Sequence, residues 1–194
     1  MKKTTVLILL LLPFFLFSCI KDITYENYFD SKSYNSNYAA WKNKNLKDYT
    51  FTIVEFCEGY QIKVIIEIRN NEVVSKEYPV PNGERRPEEY LNDIKQDPLF
   101  GETNSIDDVF DCILKCYTDL VENPKPIKRY KSGEGVFSEI YYDAVHCNIK
   151  YDSQYHYPTY IEFERRYKQD HTDSVGFKNS FSYHIKDFKV LSDE

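Results

Sequence analysis

Residues 61 to 78 read Gln61-Ile62-Lys63-Val64-Ile65-Ile66-Glu67-Ile68-Arg69-Asn70-Asn71-Glu72-Val73-Val74-Ser75-Lys76-Glu77-Tyr78. Ile62, Val64, Ile66 and Ile68 recur at every second position, the period of a strand with one buried face. Asn70 and Asn71 then tolerate the positive φ angles of a type I′ turn better than most residue pairs, so Glu72 to Tyr78 returns as the second arm of a hairpin. Upstream, Tyr49, Phe51 and Ile53 alternate with Thr50, Thr52 and Val54. That predicts a preceding strand and completes a three-stranded antiparallel meander.

Working outward, the clearest helical signal follows the meander. Ser105 and Asp108 have the spacing of a capping box, and Asp107 and Asp108 put negative charge in a first helical turn. Ile106, Val109, Phe110, Ile113, Leu114, Tyr117, Leu120 and Val121 fall three and four apart, so a helix from Ile106 to about Glu122 should lay that face on the sheet. Cys112 falls well off this face and Cys116 at its flank. Between meander and helix, Pro79, Pro81, Asn82-Gly83, Pro87 and Pro98 predict mostly irregular chain, with one helical turn over Pro87 to Ile94.

Past Asn123-Pro124 and Pro126, the Gly-containing loop Lys131 to Gly135 leads into a strand over Val136 to Tyr142. Asn148 to Tyr151 and Pro158 to Tyr167 read as a hairpin around Asp152 to Tyr157. After a polar loop from Gln169 to Lys178, Phe181, Tyr183 and Ile185 alternate with Ser182, His184 and Lys186 in a last strand. The expected fold is α+β: a mostly antiparallel sheet of about five to six strands against one main amphipathic helix, in the order β-β-β-α-(β)-β-β-β.

The first residues carry a different message. Lys2 and Lys3 precede an apolar run from Val6 to Phe17, broken only by Pro13, which is the pattern of a secretory leader. As a helix that run reaches about 18 Å, short of the ~30 Å needed to cross a bilayer core. Leu16-Phe17-Ser18-Cys19 resembles the lipobox of bacterial lipoproteins, which implies cleavage before Cys19 and acylation of its sulfur with diacylglycerol, the new amine often being acylated as well. The expected organisation is a signal peptide over 1–18, a lipid-anchored flexible tether over 19–37, and one α+β domain over 38–194. The domain is expected to open with a short helix near Tyr38 that packs the only tryptophan, Trp41. The expected location is the bacterial cell envelope, most simply its outer membrane.

The whole chain carries a formal charge of −6, and loss of Lys2 and Lys3 with the leader makes the mature form two units more negative. Such a surface repels nucleic acid and anionic headgroups, so the membrane is engaged through the lipid on Cys19 rather than through charge. The 18 tyrosines and 13 phenylalanines suit strands with one packed face and one wet face.

Five short motifs in order carry a family resemblance: Lys47-Asp48-Tyr49-Thr50-Phe51-Thr52; Arg69-Asn70-Asn71-Glu72-Val73-Val74-Ser75; Ser105-Ile106-Asp107-Asp108-Val109-Phe110-Asp111; Tyr151-Asp152 to Tyr157-Pro158; and Ser182-Tyr183-His184-Ile185-Lys186-Asp187-Phe188. Together they resemble a bacterial lipoprotein family catalogued as domain of unknown function 6174, across most of Trp41 to Phe188. The resemblance implies a small lipid-anchored envelope domain and no particular activity. His156 stands where that family usually has Gly, and Pro79 to Thr103 and Lys125 to His146 look like enlargements.

No catalytic motif and no cofactor-binding or metal-ligand motif is found. Asp107, Asp108 and Asp111 read as a dipole-favoured helix start rather than a cation site, and Asp152 as a turn residue bonding nearby amides. His146, His156, His171 and His184 lack ligand spacing. Beyond Cys19, the four cysteines Cys57, Cys112, Cys116 and Cys147 allow three pairings. Residues four apart on a helix lie at the long end of the disulfide range, which leaves each helical cysteine to pair with Cys57 or Cys147, or to stay free. A zinc site using His146 and Cys147 is the functional rival.

The first functional expectation is a non-catalytic, monomeric module binding an envelope protein or glycan through exposed Tyr141, Tyr142, Tyr155, Tyr157 and Tyr160. A second is an inhibitor of an envelope or host hydrolase acting through the loop Gln169 to Gly176. A third is an enzyme or metal protein, which requires two or more of Asp152, His156, His184 and Cys147 to meet in a cleft.

Overall fold

In chain order the elements are β1 (Tyr28–Phe29), α1 (Ser31–Lys44), β2 (Tyr49–Cys57), β3 (Tyr60–Arg69), β4 (Glu72–Glu77), α2 (Pro98–Gly101), α3 (Ile106–Glu122), β5 (Ile127–Tyr130), β6 (Phe137–Ile140), β7 (Ala144–Tyr151), β8 (Pro158–Arg166) and β9 (Asn179–Val190). The computed structural model describes residues 26–57, 60–79, 97–130, 137–166 and 179–192. The leader with Cys19, the turn expected over Pro87 to Ile94, the loop Lys131 to Gly135, and the loop Gln169 to Gly176 with His171 lie outside the described residues.

Seven strands form one sheet in the order β1-β7-β8-β9-β2-β3-β4, and β5 and β6 make a separate two-stranded ribbon. Every pairing in the large sheet is antiparallel except that of β1 with β7, which is parallel. The meander forms as expected, and both Asn70 (φ 52°) and Asn71 (φ 66°) take the left-handed angles of a type I′ turn. A bulge at Asp187 (φ 53°) gives β9 one extra residue between the pairs Thr50 with Lys189 and Thr52 with Lys186.

One face of the sheet is the core. Tyr49, Phe51 and Ile53 of β2, Ile62 to Ile68 at alternate positions of β3, Ile161 and Phe163 of β8, and Tyr183 and Ile185 of β9 are all buried. Against them α3 lays Ile106, Val109, Phe110 and Ile113, each fully buried. Burying side chains of this size contributes about 1.5–3 kcal/mol apiece. The α3 start is capped as its residues predict: Ser105 accepts from the Asp108 N–H at 3.1 Å, and the Asp108 carboxylate accepts from the Asn104 N–H at 2.9 Å.

The α+β class and the largely antiparallel sheet agree with the sequence reading, but several details do not. The sheet has seven strands, and β6 sits in the ribbon instead of the sheet. A second long helix, α1, packs beside α3, so the single-helix arrangement is corrected. Residues 28–37, read as the end of a tether, belong to β1 and the first half of α1. The physical reason is a stripe at helical spacing: Tyr34, Tyr38 and Trp41 turn to the core, with Tyr34 and Trp41 buried. Asp30 caps this helix by accepting from the Ser33 N–H at 2.9 Å, and Asn45 ends it in the left-handed region at φ 47°. On α3 itself, Leu114 is 44% exposed while Cys112 is 5% exposed, the reverse of the wheel. Cys112 is covered because α2, with buried Leu99 and Phe100, packs on that flank.

Candidate functional site

β7 is the strand from which a site can be built, because its outer edge is only half covered. Among the described residues β1 pairs with it at His146 and Cys147 alone, after which the chain turns away at Asp30 into α1. The Val145 N–H points to the β1 side, where Asn27 accepts it at 2.9 Å, whereas the Lys150 carbonyl points to β8 and accepts from Thr159 at 3.2 Å. Peptide groups alternate between the two edges of a strand. Ile149 and Tyr151 therefore share the orientation of Val145 and direct their backbone groups to the edge that β1 leaves open.

A groove of about 510 Å³ runs along that edge, lined by Tyr28, Asp30 and Ser33 on one side and by Cys147 to Tyr151, Tyr160 and Glu162 on the other. It draws side chains from both faces of the sheet. Lys150 holds its ammonium 5.3 Å from the Tyr160 ring centre, and Tyr160 in turn tilts against His184 at 5.0 Å. Asn148 donates to Glu162 at 3.3 Å. Burial lowers the His184 pKa, with Lys186 and Lys150 adding to the effect. The groove thus combines exposed aromatic surface, one cation, two carboxylates and strand backbone.

The five tyrosines expected to form a patch are not brought together. Tyr157 is buried and stacks on Phe188 at 4.5 Å, and Tyr155 leans on the same ring at 5.2 Å. Tyr142 donates its hydroxyl to the Leu120 carbonyl at 2.6 Å, while Tyr141 stands 55% exposed. Only Tyr160 of the five lines the groove. Phe188 is the unforeseen cause: the bulge at Asp187 sets β9 so that Phe188 is within ring contact of Trp41, Tyr49, Tyr155 and Tyr157.

The residues weighed for catalysis have separate engagements. Asp152 accepts from the Gln154 and Tyr155 N–H groups at 2.8 and 2.7 Å, as a turn carboxylate does. The His156 ring meets Asn37 at 3.3 Å, His184 lies against Tyr160, and Cys147 is buried on the core face of β7. Asp107, whose side chain is 38% exposed in the first turn of α3, also accepts from Trp41 and Lys42, both at 2.9 Å. Among the described residues no three His, Cys, Asp or Glu side chains are arranged to hold a metal ion, and no helix is long and apolar enough to cross a membrane.

Two buried polar groupings were not legible beforehand. Asp97 accepts from the Leu99 and Phe100 N–H groups through one oxygen and from the Tyr183 hydroxyl at 2.7 Å through the other. Burial raises its pKa against the pull of those three bonds. Beside it, Cys112 and Cys116 are free thiols with sulfurs 3.9 Å apart, and Cys147 is free as well. Cys116 gives up its proton the more readily, because the hydrogen bond with Cys112 favours its thiolate, and the same bond together with burial holds Cys112 protonated. Burial pushes the Cys147 thiol up to about 12. The Cys57 side chain lies outside the described residues.

Residues 33–125, from α1 to just past α3, match the model of a family of unknown function, DUF6174. No curated protein and no solved structure matches the chain.

Proposed function

We propose that this chain is a lipid-anchored protein of the bacterial cell envelope that acts as a non-catalytic binding module, taking an extended segment of a partner protein along the open edge of β7. The carrying observation is the edge groove, where the backbone of Ile149 and Tyr151 faces outward between Tyr28, Lys150, Tyr160 and Glu162. Strand addition draws affinity from main-chain hydrogen bonds and specificity from alternate side-chain pockets, and a groove lined from both faces of a sheet suits a strand whose own side chains point both ways. The leader and the Leu16 to Cys19 motif support the anchor. A lipid-held domain also needs no high affinity of its own, since confinement at a surface raises the effective concentration of partners there.

The test is a peptide-library selection on the full-length protein in detergent, followed by amide chemical-shift mapping of the selected peptides. Shifts centred on Asn148 to Tyr151 and Tyr28 are expected, with Lys150→Glu and Tyr160→Ala each weakening binding about tenfold or more, the range expected of contacts worth some 1.4 kcal/mol. Peptides that bind elsewhere, or binding indifferent to both substitutions, would overturn the proposal.

A further inference from the structure

Cys112 and Cys116 stand one helical turn apart on the flank of α3 that meets α2, with sulfurs 3.9 Å apart and neither in a disulfide. A metal–sulfur bond is about 2.3 Å, so two thiolates on one ion sit roughly 3.8 Å apart at a tetrahedral angle and roughly 4.6 Å apart when collinear. The observed separation falls within that range, so small side-chain rotations suffice to seat an ion. Cys112 is 5% exposed and Cys116 is half-buried, which leaves one sulfur reachable from solvent and shelters the other.

The sulfur spacing, not the surrounding charge, points to an ion: Asp97 and Glu102 oppose ionisation of the Cys112 thiol and Asp97 and Asp119 that of Cys116, against the Lys115 ammonium, which favours the Cys116 thiolate. That ammonium is itself held by Glu102 at 2.6 Å. On the sheet side, the Tyr183 hydroxyl and the Cys147 thiol are the remaining titratable groups that sense Cys116.

We propose that the Cys112 and Cys116 pair is a binding site for a soft, thiophilic metal ion, with Cu(I) as the member of that class that two thiolates suffice to hold. Zinc asks for three or four protein donors, and among the described residues no third His, Cys, Asp or Glu joins the pair as a ligand set. Thiolate softness selects Cu(I) over the harder divalent ions. Binding replaces both S–H protons. Each thiolate gives an electron pair to the ion, two protons pass to solvent, and no oxidation state changes.

The experiment sets the full-length reduced protein in detergent, without oxygen, in competition with the chromogenic chelator bicinchoninate for Cu(I). Wild type is expected to withdraw one Cu(I) per chain. C112S and C116S should each lose affinity by about a hundredfold or more, because each removes one of two ligands, while C147S stays within about twofold of wild type. Failure of wild type to withdraw the ion, or wild-type affinity in C112S or C116S, would overturn the assignment. Circular dichroism of the metal-free variants checks their folding. Should either variant not fold, copper X-ray absorption on wild type decides instead: two sulfur scatterers are expected, and nitrogen or oxygen donors contradict the site.

Discussion

The Trp41 indole N–H donates to the Asp107 carboxylate at 2.9 Å, fastening α1 to the first turn of α3 across 66 residues of chain. Lys42 binds the other oxygen of the same carboxylate at 2.9 Å. Trp41 is 5% exposed, so removing its acceptor strands a donor that water reaches poorly. Asp107→Ala is expected to cost about 1–3 kcal/mol in urea unfolding, with a shift in the emission of the only tryptophan. Lys42→Ala, which breaks an exposed ion pair, should cost less than about 1 kcal/mol. Equal costs would mean that the indole bond contributes nothing beyond surface charge.

Lys76 fastens the chain just ahead of the same α3 start, from the sheet side. Its ammonium leaves β4 to reach the Gly101 and Thr103 carbonyls at 3.2 and 2.8 Å and the Asn104 side chain at 3.3 Å, pinning the link between α2 and α3 to the sheet. Lys76→Met keeps the aliphatic stem and removes the three bonds. A loss of roughly 1–3 kcal/mol is expected, with faster amide exchange at Glu102 to Asn104; unchanged exchange there would contradict the pinning role.

Asp97 gives stability a pH dependence of unusual sign for a carboxylate. Its folded-state pKa is raised, chiefly by burial, so the native state binds more protons than the unfolded chain. That contribution is fully present below the unfolded pKa of about 3.9 and is lost as pH rises through the folded value. Asp97→Asn should therefore gain on wild type as pH rises across that window, then hold a constant difference. A difference that does not vary with pH from acid to neutral would rule the linkage out.

His184 works in the opposite direction. Burial, then Lys186 and Lys150, depress its pKa, so its contribution is complete above the unfolded value of about 6.5 and is lost as pH falls through the folded one. His184→Gln is expected to flatten the acid limb of the stability profile just below pH 6.5. The same slope in variant and wild type would remove His184 from the explanation.

His156 tests a backbone effect. Its φ of 67° lies in the left-handed region, where Gly is unstrained and a β-branched residue is not. His156→Gly should stay within about 0.5 kcal/mol of wild type, strain relief offsetting lost chain stiffness, while His156→Val should cost roughly 1–2 kcal/mol. Similar costs for both would assign the role to the ring and its contact with Asn37.

Periodic stretches were the legible part of this chain. The alternation in β2, β3 and β9, the Asn70-Asn71 turn and the Ser105 cap each state their conformation locally, and the structure has them where those residues put them. The His156 turn was not legible: the departure from the family's Gly suggested a different turn, whereas His156 takes a left-handed φ of 67°, an angle that suits Gly. What escaped depends on partners distant in sequence. The start of α1 lies in a Ser- and Asn-rich run whose spacing of Tyr34, Tyr38 and Trp41 only gains meaning against Phe110, which Tyr38 stacks on at 4.5 Å. Cys112 sat off the apolar face of a helical wheel that could not include α2. The edge groove was invisible for the same reason, because a strand edge is a property of pairing order and not of any one segment.

The proposed role in the cell envelope rests on the claim that the domain is held at a membrane by its own Cys19. The most direct test is the intact mass of the protein purified from its native membrane. The account predicts a chain that begins at Cys19 and carries acyl chains; an unacylated chain that retains residues 1–18 would contradict it.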